Sequence, residues 1–227
     1  NASPTITVDA FDSNGTGFKT AVISNRRAYV GNFRMVTESG LIKEFPDAIM
    51  KSNVNQFDSF SENGILEVSV NDGDEIIKLE EFADRILCFK RNTLYVINIS
   101  SEDEYLEDVL PGYGIEEPHQ AVKTQHGIVF INSSGLHLYS GEGEITNLTA
   151  TKRKPWEYNN EGKRFPIGFY FKEAVPTIGY DRENDKIIVL RSSRAIDFQV
   201  DITTDANQTL EVAIQTGYLY SANGKIM

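Results

Sequence analysis

FADRILCFKRNTLYVINIS, residues Phe82 to Ser100, holds two apolar runs separated by the polar break Lys90 to Thr93. A break that short cannot hold a crossover helix, so the runs must turn back on each other as an antiparallel hairpin. Alternation along a strand sends Ile86 and Cys88 to one face and Leu87 and Phe89 to the other. Both faces are apolar, so both are expected to be covered and the hairpin to lie between two layers.

Similar words recur. AVISNRRAYVGNF (Ala21 to Phe33), GIVFINSSGLHLY (Gly127 to Tyr139) and IIVLRSSRAIDF (Ile187 to Phe198) each give an apolar run, a polar turn and a second run closing on an aromatic. AIQTGYLYSANG (Ala213 to Gly224) is a weaker or truncated copy. Tyr95 and Tyr139 are 44 residues apart, about the period of a four-stranded propeller blade. The other intervals, roughly 66 and 59 residues, call for insertions or missed copies.

These patterns predict an all-β fold, a β-propeller or propeller fragment of consecutive antiparallel four-stranded blades. A two-sheet β-sandwich is the structural rival; it would leave strands apolar on one face only, whereas Ile128 to Ile131 and Ile187 to Leu190 are apolar on both. The expected divisions are a first partial blade over residues 1–40, blades over 41–100 and 101–150, a long loop over 151–175, and further partial blades over 176–227. Ile65 to Val70 alternates like a strand with one covered face, leading to a tight turn at Asp72-Gly73. Ser101 to Glu104 has capping-box spacing, and the residues after it fit a short helix and a strand equally well.

A chain of 227 residues can bury about 70 to 75% of its unfolded surface without metals or disulfides. The single cysteine, Cys88, sits in a strand and reads as a buried, inert thiol. No apolar run approaches the ~18 residues of a membrane span, so no such span is expected. The chain starts at Asn1 with no basic and apolar leader and stops just after a turn-like Asn223-Gly224, which suggests a piece of a longer polypeptide. Asn-x-Ser/Thr triplets at Asn14, Asn98, Asn132, Asn147 and Asn207 read as chance in an Asn-, Ser- and Thr-rich sequence. With 22 basic and 33 acidic residues the net charge is −11, which argues against a protein that wraps nucleic acid on a basic footprint.

The residues offer little chemistry. Pairing across a Ser133-Ser134 turn places His137 opposite Phe130 and His126 opposite Gly141, so these histidines do not converge on a zinc ion. No nucleophile elbow, phosphate-cradling loop or metalloprotease helix is present. Glu102, Asp103, Glu104, Glu107 and Asp108 form a solvated acidic face without the spacing of a calcium loop. Asp47, Asp58, Asp72, Asp74 and Asp181 sit at turns or strand ends, where a glycosidase pair would lie but where Asp is also the ordinary turn residue. No cofactor is implied. The one candidate interaction segment is KRKPWEYNNEGKRF, where Lys152, Arg153, Lys154, Lys163 and Arg164 surround the only tryptophan, Trp156. Basic and aromatic residues together can contact phosphates and bases; the plainer reading is a long loop packed on a neighbouring subunit.

The words FPDAIMKS (Phe45 to Ser52), FDSF (Phe57 to Phe60), NDGDEI (Asn71 to Ile76) and ADRILCFK (Ala83 to Lys90) with Leu94-Tyr95 follow one another in order. Thr124 to Phe130, GLHLY (Gly135 to Tyr139) and ITNL (Ile145 to Leu148) continue the series. In this order they resemble the β-propeller proteins of tailed phages, similar to the tail nozzle (tail tubular protein B-like) components of short-tailed phages. The resemblance covers about residues 26–149 and is weak elsewhere. Ala48 stands where the family often has Arg, and Cys88 replaces a bulkier apolar residue. The resemblance implies a non-catalytic subunit of the virion tail. Its partners would be other tail subunits in a homo-oligomeric ring, with double-stranded DNA leaving through the channel without specific binding. An acidic wall suits such a passage, because like charge keeps the duplex from sticking.

Overall fold

The computed structural model describes residues 17–36, 39–68, 73–101, 103–141, 143–149, 156–158, 163–165, 175–190 and 219–221. Among these the fold is all-β, with one 3₁₀ turn at Pro118–Gln120. The chain divides into two compact units, Asn1–Pro118 and His119–Met227.

The first unit holds two antiparallel four-stranded sheets, each an up-and-down meander in chain order. The first sheet comprises β1 (Gly17–Ser24), β2 (Arg27–Val36), β3 (Ile42–Asn53) and β4 (Gln56–Glu67). Asn25 and Arg26, with φ of 46° and 60°, close the β1–β2 hairpin, the positive-φ pair whose twist suits a two-residue turn. Pro46 has no N–H to give to a ladder, and the β2–β3 register breaks there. Gly31 pairs with Ile49 and Phe33 with Phe45, leaving Asn32 opposite Pro46, Asp47 and Ala48. Such a bulge bends and twists the strand, and this sheet curls into a half-barrel around Val30, Phe33, Met35, Met50 and Phe60. Phe33 stacks on Phe45 with ring centroids 4.8 Å apart.

The second sheet comprises β5 (Lys78–Phe82), β6 (Arg85–Phe89), β7 (Thr93–Asn98) and β8 (Tyr105–Pro111). Its centre is the expected hairpin, with Leu87 paired to Val96 and Cys88 to Tyr95. Ile86, Leu87, Cys88 and Phe89 are all 0% exposed, so both faces are covered as the sequence requires. Tyr29 and Ile49 of the first sheet pack with Ile76, Leu79, Ile86, Cys88, Tyr95 and Ile97 in one core. Each such aliphatic side chain contributes about 1.5–3 kcal/mol by leaving water.

The second unit contains β9 (Ala121–Thr124), β10 (Gly127–Asn132), β11 (Gly135–Tyr139) and β12 (Ile145–Asn147) as a four-stranded meander. A two-stranded ribbon, β13 (Trp156–Tyr158) and β14 (Lys163–Phe165), follows. A last sheet has the order β15 (Thr177–Asp181), β16 (Lys186–Leu190), β17 (Leu219–Ser221). Val129, Ile131 and Leu136 pack against Ile178, Ile187 and Val189 to join the third and last sheets. His137 faces Phe130 across the hairpin, as the Ser133-Ser134 turn predicts.

Several expected divisions move. The border at residues 40 and 41 falls between β2 and β3, inside the first sheet, and that at 100 and 101 falls between β7 and β8, inside the second. The cause is a mismatch of hairpins: Ala21 to Phe33 supplies the first two strands of its sheet, whereas Phe82 to Ser100 supplies the middle pair. Tyr95 and Tyr139 both lie in third strands, which explains why their spacing alone keeps the blade period. Residues 105–111 are a strand, not a helix, because β7 offers an edge for them to pair with. The expected long loop over residues 151–175 contains the β13–β14 ribbon. Thr5 to Val8, the Asn71-Asp72 turn and Arg191 to Phe198 lie outside the described residues.

Candidate functional site

The β3 bulge creates the most developed polar site. Its exposed backbone accepts a hydrogen bond at Pro46 O from Ile76 N at 2.8 Å, so the segment leading into β5 docks on the bulge. Asn32, at φ 53° and buried, donates from Nδ2 to Ile76 O at 3.1 Å and to Glu75 Oε2 at 3.0 Å. Arg91, in the β6–β7 loop, donates from Nη2 to Glu75 Oε1 at 2.9 Å, and Lys19 of β1 donates to Glu75 Oε2. The Lys19 hydrogen bond, joined by those from Asn32 and Arg91, outweighs partial burial and holds the Glu75 pKa down at about 2. Asp74 accepts from Glu75 N at Oδ1 and from Asn92 N at Oδ2.

Pro46, Asp47, Gly73, Asp74, Glu75 and Arg91 thereby enclose a cleft of about 360 Å³. It gathers two of the candidate carboxylates, Asp47 and Asp74, beside an apolar proline ring. Asp58 lies exposed on β4, and Asp181 caps its own turn by accepting from Glu183 N and Asn184 N. Asp72 is outside the described residues. Glu75, Lys19, Asn32 and Arg91 are the residues that sequence reasoning missed. Pro46 inside an otherwise strand-like run is the signal that could have found them, since it demands a bulge and a bulge exposes backbone.

A second polar cluster joins the same two sheets. Glu104, expected on a solvated acidic face, is instead nearly buried just before β8, where it pairs through Oε2 with Lys51 Nζ and accepts at Oε1 from Tyr29 Oη at 3.2 Å. Burial and the Glu104 carboxylate both push the Tyr29 hydroxyl pKa upward.

In the second unit His137 is buried, its ring 5.1 Å from that of Phe130, with Nε2 3.0 Å from Ser134 Oγ and 3.2 Å from Asn132 Oδ1. Burial lowers its pKa to about 4. His126 lies exposed in the β9–β10 turn, with Nε2 2.8 Å from Asp185 Oδ2, and His119 lies exposed in the 3₁₀ turn. Among the described residues no group of three or more His, Cys, Asp or Glu side chains is placed to hold a metal ion.

The candidate interaction segment is only partly described. The ribbon sets Trp156 opposite Phe165, Glu157 opposite Arg164 and Tyr158 opposite Lys163, while Lys152, Arg153 and Lys154 lie outside the described residues.

Three of the Asn-x-Ser/Thr triplets have a structural reason rather than chance. Asn98, Asn132 and Asn147 each end a strand, and each accepts at Oδ1 from the backbone N and the hydroxyl of the residue two further on. The side chain imitates a backbone turn and stops the ladder. Asn98 also donates from Nδ2 to Glu107 Oε2 at 2.9 Å and is buried.

No family model matches the chain, and no curated protein sequence shows significant similarity to it.

Proposed function

We propose that this chain is a structural subunit of a bacteriophage tail, part of the nozzle through which DNA is ejected, and that it acts by assembly without chemistry of its own. The observation that carries the reading is the way the resembling words fit together. Phe45 to Ser52 forms the bulge, Asp74 to Ile76 docks on it, and Arg91 and Asn92, in the loop that directly follows the word Ala83 to Lys90, close over Glu75 and Asp74. Words that resemble the phage tail proteins in their order are here gathered at one interlocked junction, which supports the reading without deciding it. The acidic net charge of −11 agrees with a wall that lets a duplex slide past. In this reading the partners are further copies in a ring, other tail subunits and passing double-stranded DNA, and the site of action is the virion.

Electron microscopy of the purified protein, alone and with tail components, tests this directly. Rings with an axial opening are expected. A monomer at every concentration, with no incorporation into tails, would overturn the reading.

The cleft favours one other reading, a glycan-engaging module, because carboxylates beside an apolar platform can hydrogen-bond sugar hydroxyls while a ring face packs on proline. Asp47→Asn and Asp74→Asn, tested on a glycan array against the unaltered protein, decide it: binding lost in both variants supports this second reading, and no binding by the parent protein removes it.

A further inference from the structure

Strand β8 is the outer strand of the second sheet and, among the described residues, pairs on one side only, with β7. Residues directly opposite in an antiparallel pair share a face. Leu106 stands opposite Ile97 and Val109 opposite Tyr95, while Glu107 is the extra residue of a bulge between them. The bulge thereby sets Leu106 and Val109 on the face that Tyr95 and Ile97 bury in the core, yet they are 46% and 41% exposed. Asp103 and Asp108, in the same stretch, are exposed too, whereas Glu104 and Glu107 are engaged by Lys51 and Arg85. Asp108 Oδ1 takes up the Val109 N–H at 2.8 Å and Pro111 has none to give. Such an edge is poorly suited to receive a further strand, so this ledge is read by side chains.

The complementary chemistry is in the chain itself. Residues 152–164 hold five cations against two carboxylates, with Trp156 among them. Copies that each carry a net charge of −11 repel one another, so their association depends on local patches of opposite sign. We propose that the Leu106 and Val109 ledge of one copy receives residues 152–164 of a second copy. That sequence supplies cations for Asp103 and Asp108 and, in Trp156, an apolar ring for the aliphatic pair. The proposal rests on the reading of the chain as a ring-forming subunit and names the contact that would close the ring. Ledge and basic segment are different parts of the chain, so the contact is heterologous, the kind that propagates from copy to copy around a ring.

Carbodiimide coupling of carboxylates to amines, in a mixture of isotopically light and heavy full-length copies, tests the contact alongside sedimentation of the assembly. Light-to-heavy links from Asp103 or Asp108 to Lys152, Lys154 or Lys163 are expected. Asp103→Lys with Asp108→Lys should weaken self-association about ten-fold or more. Lys152→Glu with Arg153→Glu and Lys154→Glu should weaken it similarly, and both reversals in one chain should restore it. Leu106→Ser with Val109→Ser, which leaves every charge in place, should weaken it as well, with the thermal midpoint of each variant checking that the fold is kept. Rings indifferent to either reversal, or links confined to single copies, would overturn the contact and leave the ring standing. The expected links in open oligomers that never close would uphold the contact and count against the ring. A monomer at every concentration would overturn both.

Discussion

Glu75 and Arg91 stand 2.9 Å apart across the junction of the first two sheets, one from the segment after the first sheet and the other from the hairpin loop of the second. Because Glu75 also receives Lys19 and Asn32, one carboxylate ties β1, β2 and the β6–β7 loop together.

Glu75→Gln is expected to destabilise the first unit by roughly 1–2 kcal/mol at neutral pH, a figure reduced for the solvent that screens Lys19 and Arg91. A carboxylate with a lowered folded-state pKa stabilises the fold above its ordinary value, and that contribution disappears as pH falls through the lowered one. The difference between variant and parent should hence shrink from about pH 4.5 toward pH 2. Denaturant melts at several pH values check this; a gap that stays constant on acidification contradicts it.

His137 gives an acid sensitivity in a separate window. Its folded-state pKa of about 4 is below the ordinary 6.5, so the fold prefers the neutral ring. Stability is full above about pH 6.5 and declines as pH falls toward 4, by an amount on the order of 2–3 kcal/mol. NMR titration of the imidazole should show it neutral at pH values where a free histidine is charged. His137→Phe should remove this part of the acid response while keeping the ring on Phe130.

Ala83 and Asp84 form the two-residue turn between β5 and β6 with φ of 52° and 55°. A β-carbon resists that left-handed region, and Asn tolerates it better. Ala83→Asn is expected to raise stability by roughly 0.5–1 kcal/mol, and Ala83→Val to lower it, both read from thermal unfolding midpoints.

Gly114 is a close-approach glycine. A Cβ there would lie 2.3 Å from Arg91 O and 2.5 Å from Lys90 O, so backbone must move. Gly114→Ala should lose about 1–3 kcal/mol and, by displacing the β6–β7 loop, loosen Arg91 from Glu75. Chemical-shift changes at Arg91 and Glu75 would report that movement; unchanged stability would contradict the close packing.

Strand-forming words were legible wherever packing agreed with local pattern. Ile86 to Phe89 announces a strand covered on both faces, and Ser133-Ser134 fixes the pairing of His137 with Phe130, because turn length alone sets hairpin register. The candidate site was only half legible. Asp47 and Asp74 stand out in the sequence as turn carboxylates, yet Glu75, the residue that joins the sheets, does not, because its partners come from residues 19, 32 and 91.

What the order of amino acids determined by itself was therefore local: which runs are strands, where they turn, which faces are apolar, and the excess of negative charge. Which hairpin supplies which strands of a sheet, the curl that Pro46 imposes on the first sheet, and the gathering of Lys19, Asn32, Glu75 and Arg91 were decided only in three dimensions. The physical reason is range. Backbone geometry and side-chain alternation act over a few residues, whereas sheet order and a shared carboxylate depend on which distant edges and faces lie together once water has been excluded.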